Sequence, residues 1–366
     1  MSHIISDIWS QIQCSLFPRL ETALEQPLSE GYKRVVSTLE VLQIEKHVWP
    51  GYRQMRGRPM ISRGGIARAF VAKAVLGFPT TKRLRETLLD DVVLRRICGF
   101  ERRQDVPSEA TLSRAFGEFA KSGLGQRVHV AVTTKHTEGK VVIDVCRDST
   151  EIEAREKPAK KPPKEPKARQ KRGRKGKNDP PREKTRLEKQ REQTPEEALA
   201  EIPTACDYGV KKDTHGHRHW WVGFKLHIDW SGSGYPLAAV LTSASVHDSQ
   251  VAIPMSKSLA RWLTVFYELM DSAYDADQIL EAITDVGHQP IVAIHSRRTT
   301  AEPFDPATKE HYKVRTTAER GNARLKDEFG YRHLRVRGAP KVLQHLMFGM
   351  LALSADVLLK MAIPPA

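Results

Sequence analysis

Three acidic residues, far apart in the chain, stand where chemistry is usually done. Asp148 in CRDST and Asp271 in ELMDSAYD each close a run that reads as a strand. Glu319 lies in YKVRTTAERGNARLK, which reads as a helix. In open α/β sheets, reactions gather at the carboxyl ends of the strands. Neighbouring strands run about 4.8 Å apart, and two carboxylates at that spacing repel unless a cation lies between them. Magnesium suits such a pair, because it is a hard cation that takes oxygen ligands from one or two carboxylates and from substrate phosphates. Two such ions about 3.5–4 Å apart clamp the attacking and leaving oxygens of an in-line phosphoryl displacement. Glu319 would be the third carboxylate. Taken singly, each aspartate is equally a turn or cap residue; the combination is what points to phosphoryl chemistry.

The helix around Glu319 carries more than one acid. At about 100° per residue, Tyr312, Arg315, Glu319 and Lys326 share a face about 60° wide. Val314, Ala318, Leu325 and Phe329 share another, which reads as a core stripe. The polar face is either a solvated one with a Glu–Arg pair at i, i+4 or part of a site. In the second case Arg315 and Lys326 bind phosphates of the strand being cut, and Tyr312 stacks on or hydrogen-bonds to a nucleotide.

Elements must position these groups. The segments GGIARAFVAKAVLG, TTKRLRETLLDDVVLRRICG and SEATLSRAFGEFAKSG have helical spacing and end at glycine. The last starts at a Ser108 N-cap, buries Leu112, Phe116 and Phe119, and turns Thr111, Arg114 and Glu118 outward. That pattern suits either a helix-turn-helix reader of DNA or an ordinary bundle. At Lys140 the period changes to that of a strand. KVVIDVCRDST, HWWVGFKLHIDW and PLAAVLTSA read as three strands. A helix, the strand TVFYELM, a second helix, the strand PIVAIHS and the Tyr312 helix follow. This order gives an α/β fold with a mixed sheet. In HWWVGFKLHIDW, Trp220 to Ile228 form the apolar face and Lys225, His227 and Asp229 the polar one.

The chain has 366 residues and a net charge of +15, which points to a polyanionic partner. Between Arg155 and Glu192 lie 17 Lys/Arg and six Asp/Glu, so +11 of that charge is in one segment. This segment is rich in Pro and nearly free of apolar residues, and it is expected to be disordered. It contacts nucleic-acid phosphates or is a solvated insertion with no dedicated role. Four scattered cysteines without Cys-x-x-Cys give neither a zinc site nor a disulfide framework. The N-terminus lacks a signal pattern. Leu346 to Leu359, the longest apolar stretch, is interrupted by Asp356 and too short to span a bilayer. The expectation is a protein without membrane contact.

These motifs resemble the DDE transposases of bacterial insertion sequences, in the branch with the signature Y-(2)-R-(3)-E-(6)-K. Tyr312, Arg315, Glu319 and Lys326 match that spacing without a gap. DSTEIEAREKP resembles the first-aspartate motif and MDSAYDAD the second, with GFKLH and TSASVHDS as landmarks between them. GRPMISRGG and SEATLSRAF resemble the N-terminal helical part. The resemblance implies a ribonuclease-H-like sheet in the order 3-2-1-4-5, which makes the strands of Asp148 and Asp271 neighbours. It implies an all-α domain (1–136) that grips DNA ends, with Arg114 among its DNA contacts. A catalytic domain (137–154 and 201–366) follows, split by the basic disordered insertion (155–200). Asp148, Asp271 and Glu319 would hold two Mg²⁺ ions, with Mn²⁺ able to substitute.

Asp144 has the same strand parity as Asp148 and is its rival for the first position. His247 and Asp248 match a landmark of the family; Asp248 reads as a helix N-cap, with a direct catalytic part as the lesser alternative. The 48-residue step from Asp271 to Glu319 leaves no room for the large β insertion of some relatives. The partners implied are the double-stranded terminal repeats of an element, target DNA, and a second subunit in a homodimeric synaptic complex. The setting implied is the bacterial cytoplasm, at the nucleoid. The alternative is a transposase-derived DNA-binding protein without nuclease activity; a nuclease without strand transfer is chemically close.

Overall fold

A computed structural model describes residues 28–48, 61–160, 184–212, 216–294 and 304–362. The start of GRPMISRGG and the centre of the basic segment (161–183) lie outside the described residues.

The first part is helical, as its periodicity requires. Its helices are α1 (Glu30–Leu42), α2 (Arg63–Val75), α3 (Thr81–Asp90), α4 (Val92–Ile97), α5 (Glu109–Ser122) and α6 (Leu124–Thr137). The single helix expected over TTKRLRETLLDDVVLRRICG is two, because the Asp91 carboxylate caps a new helix by accepting from Leu94 N at 2.8 Å. Ser108 caps α5 as expected, and Gly123 ends it in the left-handed region at φ 60°. Leu112, Phe116 and Phe119 are buried, and Arg114 is exposed.

One mixed sheet follows. Its strands are β1 (Val141–Glu153), β2 (Asp207–Lys212), β3 (Arg218–Ser231), β4 (Pro236–Ser243), β5 (Thr264–Met270) and β6 (Gln289–Val292). The hydrogen-bonded path is β2-β3-β1-β5-β6, with β4 also on β3. β1 pairs antiparallel with β3 and parallel with β5, and β5 pairs parallel with β6. The expected order had five strands; β2 is a sixth. It escapes a search for alternation because Tyr208 and Val210 are exposed while Gly209 lies under the Trp221 ring. A Cβ at Gly209 would come within 2.2 Å of that ring. The expected polar face of β3 is also corrected. His227 and Asp229 are fully buried, because Thr242 bonds the first at 2.9 Å and Arg147 the second.

The remaining helices are α7 (Arg186–Glu192), α8 (Pro195–Ala200), α9 (Ser249–Ala260), α10 (Asp277–Asp285), α11 (Pro306–Tyr312), α12 (Thr316–Asp327) and α13 (Ala339–Ala362). Helices α7 and α8 correct the expectation of disorder across 155–200. Gln190 is buried and its amide donates to Gln250 O, Arg191 pairs with Glu281 and Asp285, and Lys257 donates to the carbonyls ending α7. Docking on α9 and α10 supplies the burial that the segment's own composition lacks.

Helix α13 is longer than its apolar stretch suggested, at 24 residues. By length and composition alone it could cross a membrane, but 72% of its most apolar window is buried inside the protein. It packs against α1, α2, α5 and α6, and one continuous core runs from Phe70 through Leu346 to Trp230 on the sheet. Asp356, the interruption, is tied to Arg324 of α12 at 2.6 Å.

Candidate active site

The parallel ladder between β1 and β5 pairs Val145 with Glu268 and Cys146 with Leu269. Two residues beyond the last pair, Asp148 and Asp271 stand on these neighbouring strands where their pairing ends; Asp271 follows the end of β5, whereas β1, against the expectation that Asp148 closes it, runs on to Glu153 because it stays paired with β3. Asp271 caps the short 3-10 turn Ser272–Tyr274, its Oδ1 accepting from Ala273 N at 2.9 Å. Asp144, the rival, lies four residues back on β1, and its carboxylate meets the His311 ring at 2.6 Å. It is engaged away from Asp271.

Helix α12 lies over this edge of the sheet, against β1 and β3. A glycine permits the close approach: a Cβ at Gly321 would fall 2.6 Å from the Trp230 ring. Ala318, Leu325 and Phe329 are buried, as the apolar stripe requires. The polar face differs from the regular helix expected. Tyr312 ends α11, residues Lys313–Arg315 form a 3-10 turn, and α12 begins at Thr316. Three residues overwound by about 20° each turn Tyr312 by roughly 60° relative to Glu319. The Tyr312 hydroxyl donates to Met270 O at 2.9 Å, directly before Asp271. Its ring packs against Phe304, centroids 5.3 Å apart, and the Arg315 guanidinium lies 5.8 Å from its centroid. Tyr312 therefore holds the end of β5.

Glu319 does not join the two aspartates. Its exposed carboxylate pairs with Arg315 at 2.6 Å. Among the described residues, no three His, Cys, Asp or Glu side chains are grouped to hold a metal ion. Arg315 is the cation that these three carboxylates share. Asp148, Asp271, Glu319 and Tyr312 all act to raise the Arg315 pKa, against the effect of its burial. Lys326 is paired too, with Glu151 of β1 at 3.0 Å. Arg114, on α5, donates weakly to Thr111 at 3.4 Å.

Three more residues belong to this site; two of them, Asn322 and Lys211, escaped the sequence reading, and Asp248 was given another role. Asn322, one turn after Glu319, donates from Nδ2 to Asp148 Oδ2 at 2.9 Å, and its buried Oδ1 has no partner among the described residues. The i, i+3 spacing from Glu319 was its only signal. Asp248 was expected as an N-cap and occupies that position, but its backbone is αR and its side chain makes no cap bond. It turns back to the sheet instead, bonding Lys225 at 2.9 Å and Ser149 at 3.0 Å. The landmarks GFKLH and TSASVHDS are thus one ion pair. The third is Lys211, exposed on the unforeseen β2, whose charge lowers the pKa of both Asp148 and Asp271.

Burial pushes the Asp148 carboxyl up to about 6; Arg315 opposes this and Asp271 adds to it. Asp271 is raised as well, by burial first and then by Asp248, against its bond from Ala273. Burial would also raise Asp248, but His227 and Lys225 outweigh it and hold its carboxyl low. A pH dependence follows from Asp148. The folded state keeps its proton up to about 6, against an ordinary value of 3.8. Ionisation therefore weakens folding as pH rises through that window. Without divalent cation, Asp148→Asn is expected to melt above the wild type at pH 8, with the gap closing below pH about 4 as Asp148 becomes protonated in both states. Thermal melts at the two pH values measure this; a less stable variant at pH 8 would contradict it.

The donor set suits a hard divalent cation. Asp148 and Asp271 offer carboxylate oxygens, and the unpartnered Asn322 Oδ1 is a buried oxygen beside them. Glu319, paired with Arg315, lies outside this set.

Two family profiles match the chain. The Transposase DDE domain matches residues 141–355, and the Transposase domain (DUF772) matches residues 23–118. Comparison with curated proteins and with solved structures returns no match. The first profile spans Asp148, Asp271 and Glu319, and more than half of the chain: this protein belongs to the DDE transposase family.

Proposed function

We propose that the protein cuts and joins DNA at the ends of an insertion sequence, with Asp148, Asp271 and Glu319 as its catalytic carboxylates. The observation that carries this is the adjacency of Asp148 and Asp271 just past the point where the parallel pairing of β1 with β5 ends. Further support comes from the sheet. With β2 set aside, the other strands run β4-β3-β1-β5-β6, the order expected of a ribonuclease-H-like domain.

Asp148, Asp271 and Glu319, with Asn322 beside them, would hold divalent cations, Mg²⁺ or Mn²⁺. Bound there, such ions polarise the scissile phosphate and favour attack by water or a 3′-hydroxyl. The chain's own groups prepare the geometry. Tyr312 fixes the end of β5 through Met270 O, and Asn322 fixes the orientation of Asp148. Arg315 and Lys326, freed from Glu319 and Glu151, bind phosphates of the strand being cut. Arg114, exposed on α5, contacts DNA at the ends. Two copies of the chain bring two ends together in the cytoplasm.

The test is an assay with the element's terminal repeats and a target plasmid. The expected result is a joined product that depends on a divalent cation. Cleavage without joining would make the protein a nuclease only. End binding without cleavage under any divalent cation would make it a DNA-binding derivative.

The basic segment gives a separate expectation. Residues 161–183 contain ten Lys/Arg and three Asp/Glu. Deleting them, and leaving the docked α7 intact, is expected to flatten the slope of log affinity against log salt by about 0.9 for each phosphate the segment neutralises. Filter binding between 50 and 200 mM salt measures it. An unchanged slope would mean that the segment does not touch DNA.

A further inference from the structure

A second cleft, of about 520 Å³, lies between the helical part and the chain that follows α12. None of the candidate active-site residues lines it. Phe70, Phe78, Phe116 and Phe348 contribute apolar wall. Lys73 stands within it, and Lys82, Arg335, Arg337 and Lys341 border it. Glu109 is its one acidic neighbour among the described residues. The N-terminus of α3 opens onto it through Thr80 and Thr81, and its dipole adds to the positive field.

Lys73 is the sheltered cation of this set, and Lys82, Arg335, Arg337 and Lys341 stand exposed at the rim. It differs from several other sheltered cations, which have a carboxylate partner. Lys225 has Asp248, Lys326 has Glu151, Arg324 has Asp356, and Arg63 has Glu118. Lys73, Arg335 and Lys341 form no ion pair or side-chain hydrogen bond among the described residues. Burial pushes the Lys73 ammonium down to about 8, the cost of a sheltered charge without an anion. A bound anion would supply the missing partner.

We propose that this cleft binds one nucleotide unit, with its phosphate among Lys73, Arg335 and Lys341 and its base against Phe78. The volume is that of a small-ligand pocket and too small for a duplex. The half-buried Phe78 ring offers a stacking surface to a base of any sequence. The same chemistry is presented by a nucleotide of an unpaired DNA strand and by a free mononucleotide. Choosing the strand as the source rests on the transposition reading; the anion chemistry does not.

The experiment uses the full chain and a fluorescein-labelled oligodeoxythymidine of eight residues, followed by anisotropy at fixed salt. Lys73→Met is expected to weaken binding about tenfold, the worth of one charge-assisted contact, and Lys73→Arg to restore most of it. Because Lys73 is sheltered, a rim variant carrying Arg335→Ser and Lys341→Ser provides a second arm in which folding is not at risk; it is expected to lose a similar factor. Thymidine 5′-monophosphate that displaces the oligonucleotide at micromolar concentration would identify the free nucleotide as the ligand; displacement only by other oligonucleotides would identify the strand. Displacement by inorganic phosphate as readily as by the mononucleotide would overturn the base subsite. Wild-type affinity in both Lys73→Met and the rim variant would overturn the site altogether. Strand transfer measured on the same variants keeps the two readings apart, since normal joining with unchanged oligonucleotide binding removes the cleft and leaves transposition standing.

Discussion

Asp148→Asn and Asp271→Asn are each expected to lower DNA-strand cleavage by at least about 10²–10³-fold, the scale of one preorganised electrostatic group at a reacting centre. Binding of the terminal repeats should hold within about threefold, because DNA affinity comes mostly from phosphate contacts made by cations. The third acid is the sharper question. Glu319 is turned onto Arg315, while the Asp248 charge raises the Asp271 carboxyl through space. Glu319→Gln is expected to fall with the two aspartates, since α12 already bonds Asp148 one turn further on through Asn322. Asp248→Asn is expected to lose less activity, because Asp248 is committed to Lys225 and Ser149. Single-turnover nicking of a labelled repeat, with melts to confirm folding, measures all four variants. A Glu319→Gln enzyme that cuts at the wild-type rate beside an inactive Asp248→Asn would exchange their roles. Full activity in Asp271→Asn would remove the whole assignment.

The second large effect is on stability. Arg147 precedes Asp148 on β1 and points to the opposite face. Its guanidinium forms a two-pronged pair with Asp229, at 2.7 and 3.0 Å, and reaches Glu268 at 3.1 Å. Ser256 and His288 complete the cluster on Glu268, both at 2.6 Å. Arg147, Asp229 and Glu268 have no exposed surface. Burial raises the Asp229 carboxyl despite its partner; Glu268 is held low, because Arg147 and His288 outweigh its burial. Arg147→Met strands two buried carboxylates and is expected to cost about 3–5 kcal/mol. A triple variant that also carries Asp229→Leu and Glu268→Met is expected to regain most of this, because the charges are removed together. Urea unfolding of the three proteins measures it. A loss below about 1 kcal/mol in the single variant would mean that the cluster rearranges around water. The network joins β1, β3, β5 and α9 under the candidate site, so the single variant should also disturb the spacing of Asp148 and Asp271.

Much of this architecture was legible in local patterns. Apolar residues at helical spacing pointed to α2 and α5, alternation to β3, and strand-like runs to β1, β4 and β5, because regular elements leave a period or a short apolar run in the chain. Strand β2 left none, since its apolar side chains, Tyr208 and Val210, are exposed and only a glycine fits beneath Trp221. Helices α7 and α8 were hidden for a related reason. A basic, proline-flanked segment orders only when another surface supplies its burial, and that surface lies more than fifty residues away on α9 and α10.

The same division runs through the site. Residue types and spacing alone determined which acids to examine, the Tyr312–Lys326 signature and the family it resembles, because these depend on covalent order and helical or strand period. Tertiary structure alone decided which partner each charge takes. Tyr312 reaches Met270 O and Glu319 closes on Arg315; Lys326 turns to Glu151, and Asp248 leaves its cap for Lys225. A charged side chain settles on the partner that lowers its energy in space, and contacts across tens to hundreds of residues leave no periodic trace in the chain.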